Sequence, residues 1–165
     1  LDVGGGTGIY SIAFLQKNPG LKAIVLDRPE VLRVAGEFAA QYGVEDRVEL
    51  RAGDMFTGAF PAADFILFSN VLHDWDVEDC RGLVRRAAES LNPGGSILIH
   101  DVLLNDALDG PLEVACYSAQ LFTMAEGRAY SAAEYAAWLR EAGLKPEPPI
   151  PTLAHCYVIR GGSAR

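Results

Sequence analysis

The chain has 165 residues, half of them hydrophobic and 22% charged, and its 14 basic and 22 acidic side chains leave a net charge of −8. That length holds one domain with a core of its own, and the composition excludes disorder. No basic run offers a phosphate-neutralising surface and no apolar run reaches membrane-spanning length, so neither nucleic acid nor a membrane is expected as a partner. Cys80, Cys116 and Cys156 are odd in number and form no C-x-x-C pair. They argue against a disulfide framework or a zinc site and for a reducing, cytoplasmic setting.

In chain order, Leu1-Asp2-Val3 runs into Gly4-Gly5-Gly6-Thr7-Gly8, and Ile9, Ile12, Ala13 and Leu15 then recur at helical spacing. This is a strand, a tight turn and a helix. The glycines permit positive φ and bring bare backbone N–H groups close to a ligand. The dinucleotide spacing G-x-G-x-x-G fails, because it would need glycine at Ile9 or at Ser11. What stands instead is Asp2 followed by Gly4-x-Gly6-x-Gly8, a form similar to motif I of S-adenosylmethionine methyltransferases. A glycine-rich turn of another α/β protein is the plain alternative. Since the chain opens at Leu1, inside a strand, further sequence is expected ahead of it.

The breaker cluster Asn18-Pro19-Gly20 ends the first helix, and Lys22–Asp27 reads as a second strand that closes on an acid. An acid about 20 residues past a glycine turn is placed to accept ribose hydroxyls, so Asp27 is a candidate ligand to a nucleoside; a plain helix cap is the alternative. Glu30 to Tyr42 is predicted helical, with Val31, Val34, Ala35 and Phe38 on one face and Gly43 as its cap. Arg47–Arg51 alternates as a strand and leads into Gly53-Asp54-Met55-Phe56. There Asp54 could hold an exocyclic amine and Met55 could supply soft apolar surface, or the stretch is simply a loop carrying a core Phe.

Ala63–Ser69 is a near-continuous apolar run of the kind found in central parallel strands. It ends in Asn70-Val71-Leu72-His73-Asp74-Trp75, and a helix follows from Asp76 to Leu91, stopped by Asn92-Pro93-Gly94-Gly95. Ser96–Leu104 is a further strand. Leu112–Met124 reads as a helix apolar nearly all round, one that is buried or faces a partner. Tyr117, Phe122 and Met124 on it suggest a flat aromatic ligand, although such residues also serve as ordinary core. Ser131 and Glu134 form a capping box for a helix to Glu141, and Ala154–Ile159 is the last strand. His100 and His155 are expected within strands as structural residues. Strands alternating with helices predict an α/β sheet wound on both faces, with ligands beyond the strand carboxyl ends, where Gly4–Gly8, Asp27, Asp54 and His73 all fall.

Taken together, these segments, with Gly127-Arg128 ahead of Ala142-Gly143-Leu144, resemble the caffeic-acid and hydroxyindole type of O-methyltransferase over the whole chain. The resemblance implies a Rossmann-like, mostly parallel sheet with an antiparallel last strand, binding S-adenosylmethionine. It assigns the methionine part of the cofactor to Gly4 and Gly6 in the glycine turn, the ribose to Asp27 and the adenine to Asp54 with Met55. Ser69 is grouped with the cofactor residues. His73 becomes the general base, flanked by Asp101. A second flanking acid of the family falls on Ala129, with Glu126 as a nearby substitute, and a Lys or Arg common before the His motif is replaced by Ser69-Asn70. The implied acceptor is a small phenolic or polyketide-like molecule, and no metal is required. Residues 1–165 would be the catalytic domain of a longer, homodimeric protein whose N-terminal helical domain lies outside this chain. The rival readings are a protein that binds S-adenosylmethionine without transferring its methyl, and a nicotinamide dehydrogenase.

Overall fold

The computed structural model describes residues 1–163. The chain falls into two compact units, Leu1–Pro61 and Ala62–Arg165. The first holds β1 (Asp2–Val3), α1 (Ile9–Lys17), β2 (Ala23–Asp27), α2 (Pro29–Gln41) and β3 (Val48–Ala52). β2 pairs in parallel with β1 on one side and β3 on the other. Parallel neighbours need crossovers, and the two helices supply them. Ile12 and Leu15 of α1 pack with Ala23, Ala39 and Val44, while Val25, Leu32 and Ala35 form a second cluster. The buried stripe of α2 is thus Leu32, Ala35 and Ala39. It lies one position on from the expected face, and Val31, Val34 and Phe38 are half-buried at its margin.

The second unit holds β4 (Ala63–Ser69), α3 (Val77–Glu89), β5 (Leu91–Leu104), α4 (Leu112–Leu121), β6 (Tyr130–Ser131), α5 (Ala132–Glu141), β7 (Leu144–Pro146), β8 (Ile150–Pro151) and β9 (Cys156–Ser163). β4 and β5 are parallel, and β9 runs antiparallel to β5. β7 and β8 pair antiparallel with β9, and β6 pairs in parallel with the end of β5. The α/β class, mostly parallel with an antiparallel last strand, is therefore the observed one.

Local chemistry accounts for several boundaries. Asp76 caps α3 by accepting the Asp79 N–H, and Ser131 with Glu134 forms a complete capping box on α5. Three of the boundaries that differ from expectation have a local cause. The strand after Asn92-Pro93 already begins at Leu91, because Ala63 pairs with Leu91 across an irregular register. α4 ends at Leu121, three residues early, in turns closed by the N–H groups of Thr123 and Met124. The last strand starts at Cys156, since Ala154 and His155 take positive φ of 52° and 61° in a turn. His155 is therefore a turn residue, not a strand residue.

Candidate active site

In the first unit the glycine turn has the geometry its composition requires. Gly4, Gly6 and Gly8 have φ of 64°, 59° and 71°, a region L side chains rarely adopt. The turn is tied to β2: Gly4 N–H donates to the Leu26 carbonyl at 2.8 Å, and Gly6 N–H donates to Oδ2 of Asp27 at 2.8 Å. A side chain on Gly6 would meet open space, so the turn presents bare backbone outward. Asp27 also accepts the Arg28 N–H through Oδ1 at 2.7 Å, and α2 begins at Pro29 without a side-chain cap. Its carboxylate thus braces the glycine turn and keeps lone pairs for hydroxyl donors. Beneath the turn, Asp2 is buried and accepts the Ser11 hydroxyl at 2.8 Å, while its Oδ1 has no partner. Burial pushes its carboxyl up to about 6. Asp54 shapes its own loop, accepting the Phe56 N–H at 2.9 Å and the Thr57 hydroxyl at 3.0 Å, and Met55 beside it is half-buried.

The second unit builds a polar chain around His73. The register of β4 and β5 sets Ser69 beside His100, so the segment leaving β4 passes the next residue of β5, Asp101. His73 lies in a 3-10 turn, Leu72–Asp74, and is only 5% exposed. Its Nδ1 is 2.6 Å from Oδ1 of Asp101. Against a carboxylate Nδ1 carries the proton, which leaves the lone pair on Nε2. Asp101 is itself held, Oδ1 by the Val102 N–H at 2.8 Å and Oδ2 by the Tyr135 hydroxyl at 2.8 Å. Two groups stand near His73 Nε2: the Tyr117 hydroxyl at 3.1 Å and Oδ1 of Asp74 at 3.6 Å. Burial is the largest influence on the imidazole and lowers its pKa. The hydrogen bond and charge of Asp101, with the charge of Asp74, outweigh it, and the pKa is raised above the ordinary 6.5.

The loop after α4 is fastened over this turn by its backbone. The N–H groups of Glu126 and Gly127 both donate to the Asp74 carbonyl, at 3.0 and 3.1 Å. A Cβ on Gly127 would collide with the carbonyl oxygens of His73 and Trp75, so only glycine fits there. Glu126 joins the site through its N–H and its side chain is exposed. Ala129, where the resemblance would place an acid, is fully buried against Leu104 and Val114. Ser69 donates to or accepts from Nδ1 of His100 at 2.9 Å, and Nε2 of His100 meets the Thr152 hydroxyl at 3.3 Å. Sequence reading named Asp101 and Tyr117 but missed Tyr135. Its one signal was the helical spacing of Tyr135, Trp138 and Leu139, which marked a buried face without saying what the hydroxyl would reach. Among the described residues no group of three or more His, Cys, Asp or Glu could hold a metal, and no helix is long and apolar enough to cross a membrane.

A family model described as an O-methyltransferase domain matches residues 1–145. The chain belongs to the O-methyltransferase domain family. This O-methyltransferase domain is 38% identical over 144 residues to the 3-hydroxy-5-methyl-1-naphthoate 3-O-methyltransferase of Streptomyces sahachiroi, an alignment covering 87% of this chain and 42% of that protein. Its structure is similar to that of an O-methyltransferase family 2 protein from Planctomyces limnophilus in complex with apigenin, with TM-score 0.97 and 55% identity over 99% of this chain and 50% of that one. It is also similar to human N-acetylserotonin methyltransferase in complex with S-adenosylmethionine, with TM-score 0.90 and 30% identity over 99% of this chain and 47% of that one. The domain spans about half the length of these relatives or less. Its fold is the Rossmann-like one of S-adenosylmethionine methyltransferases.

Proposed function

We propose that this O-methyltransferase domain transfers a methyl group from S-adenosylmethionine to a hydroxyl of a small phenolic or polyketide-like molecule, with His73 as general base. The observation that carries the reading is the His73–Asp101 pair, which fixes the proton on Nδ1 and leaves the lone pair on Nε2 to accept another. The S-adenosylmethionine of the human relative and the apigenin and naphthoate of the two bacterial ones support the cofactor and the acceptor class.

When bound, the cofactor supplies an electrophilic methyl on a sulfonium. The residues present fit such a group: the turn at Gly4 and Gly6 would let the cofactor approach bare backbone, with open space beside Gly6, and Asp27 would accept from ribose hydroxyls. Asp54 and Met55 are the proposed adenine contacts. His73 accepts the acceptor's proton at Nε2 as the new O–C bond forms. A phenol, with pKa ~10, is too weak an acid for an imidazole to ionise in advance, so proton transfer accompanies bond formation. Asp101 keeps the ring in register and balances the charge of the imidazolium. The reading extends to a cytoplasmic homodimer for the full-length protein. Leu112, Phe122 and Met124, respectively 74%, 70% and 69% exposed, leave large apolar side chains uncovered at the two ends of α4, which supports the dimer.

The test pairs two measurements on the full-length protein: S-adenosylmethionine binding by calorimetry, and methyl transfer to a panel of phenols followed by mass spectrometry. A cofactor-binding protein that no longer transfers is the second reading, favoured by Ala129 in place of the family's acid. Binding without turnover on any acceptor selects it.

A further inference from the structure

The base of the proposed mechanism already has a phenol on it. Tyr117 reaches across from α4 and sets its hydroxyl 3.1 Å from Nε2 of His73. The two rings meet edge-on, 5.5 Å between centroids and 88° apart. Because Nδ1 is committed to Asp101, Nε2 holds the lone pair and the Tyr117 hydroxyl donates to it. Burial, with the charges of Asp101 and Asp74, holds the phenol of Tyr117 above its ordinary pKa, so it stays a donor. Besides Tyr117, the carboxylate of Asp74 stands 3.6 Å from Nε2, an acceptor that cannot donate to it when ionised.

The atom that must take the acceptor's proton is therefore occupied by a side chain of the acceptor's own chemical class. We propose that Tyr117 is a specificity gate: its hydroxyl occupies Nε2 of His73 until a phenolic acceptor replaces it there, hydroxyl for hydroxyl. This rests on the reading of His73 as the base. The exchange is like for like. One phenol-to-imidazole hydrogen bond is lost and one is gained, so a hydroxyaromatic acceptor leaves no buried nitrogen unpaired. A ligand without a donor would uncover Nε2 and leave it unsatisfied, and the gate would exclude it. α4 can release the ring because Tyr117 is only half-buried, while Val114, Ser118 and Leu121 anchor the same helix.

Tyr117→Phe removes the hydroxyl and keeps the ring. In the full-length protein, loss of the internal competitor should lower the acceptor KM by about 2–10-fold, the worth of one ordinary hydrogen bond, with the larger change in KM and not in kcat. Without acceptor, Nε2 of His73 should react faster with diethyl pyrocarbonate in the variant, read by peptide mass spectrometry that separates His73 from His100 and His155. Tyr117→Leu, which also removes the ring, should raise that rate further. An unchanged or raised KM overturns the gate, as does a fall in kcat at constant KM, which would make Tyr117 a proton relay. An unchanged modification rate overturns it as well. The modification rate does not depend on turnover, so it separates this claim from the base itself: a His73→Ala protein with normal turnover removes the base and leaves the occupancy of Nε2 standing.

Discussion

The hydroxyl of Tyr135 donates to Oδ2 of Asp101 at 2.8 Å, from a side chain that is fully buried. Asp101 turns its other oxygen to His73, so the tyrosine braces the carboxylate that orients this imidazole. Tyr135 is in turn wedged edge-on between Tyr130 and Trp138, with ring centroids at 5.8 and 5.2 Å. The brace comes from the core of the second unit and not from the loop at Ala129.

Tyr135→Phe should keep this aromatic packing and lose only the hydrogen bond to a charged group. The expected cost is about 1.5–3 kcal/mol of stability, read from urea midpoints. Turnover should fall, and the pH at which activity inflects should move, because a looser Asp101 no longer holds His73 in the same way. A variant that loses stability with an unchanged pH profile would make Tyr135 a core residue with no bearing on the base.

His73→Ala should cut turnover by ~10²–10⁴ and leave S-adenosylhomocysteine affinity nearly unchanged. The pH dependence has a definite sign. His73 works as a base only when neutral, and its pKa is raised. Activity should therefore be lost as pH falls through a value above the ordinary 6.5, not below it. Near-normal turnover in His73→Ala would mean that alignment of the acceptor is sufficient.

Asp27→Ala should weaken cofactor binding through two losses. The ribose hydroxyls lose a charged acceptor worth roughly 1.5–3 kcal/mol per hydrogen bond, and Gly6 N–H loses the partner that braces the glycine turn. Asp27→Asn keeps an oxygen for one of these and should fall between. Calorimetry with S-adenosylhomocysteine reads both, and equal affinities in all three proteins would take Asp27 out of the ribose role.

Asp2 makes the fold itself pH-sensitive. Its carboxyl is held at about 6 against 3.8, chiefly by burial. The folded state thus favours the protonated acid. The stability this confers is complete below 3.8 and is lost as pH rises through about 6. The difference corresponds to about 3 kcal/mol. Between pH 4 and pH 7, Asp2→Asn should lose less stability than the unchanged protein, measured by the difference of their denaturation curves. Parallel curves would show that the carboxyl finds a compensating partner.

What the sequence settled by itself was local. β4 runs from Ala63 to Ser69 as its apolar run foretold, Asp76 and Ser131 cap the helices they precede, and the glycine turn bends where Gly4, Gly6 and Gly8 allow positive φ. These features need only a few consecutive residues, so propensity and spacing reveal them. The face of α2 was misplaced by one residue, and α4 stopped at Leu121, because packing and not periodicity chooses which side is covered. The surroundings of His73 were legible only in part. His73 and Asp101 were marked by resemblance, yet the phenols at both ends of the chain Tyr117–His73–Asp101–Tyr135 lie 44 and 34 residues from the groups they touch. No local rule specifies such a pair. It exists because β4 and β5 pair in one register, and because α4 and α5 pack against β5 with Tyr117 and Tyr135 facing the same carboxylate and its imidazole.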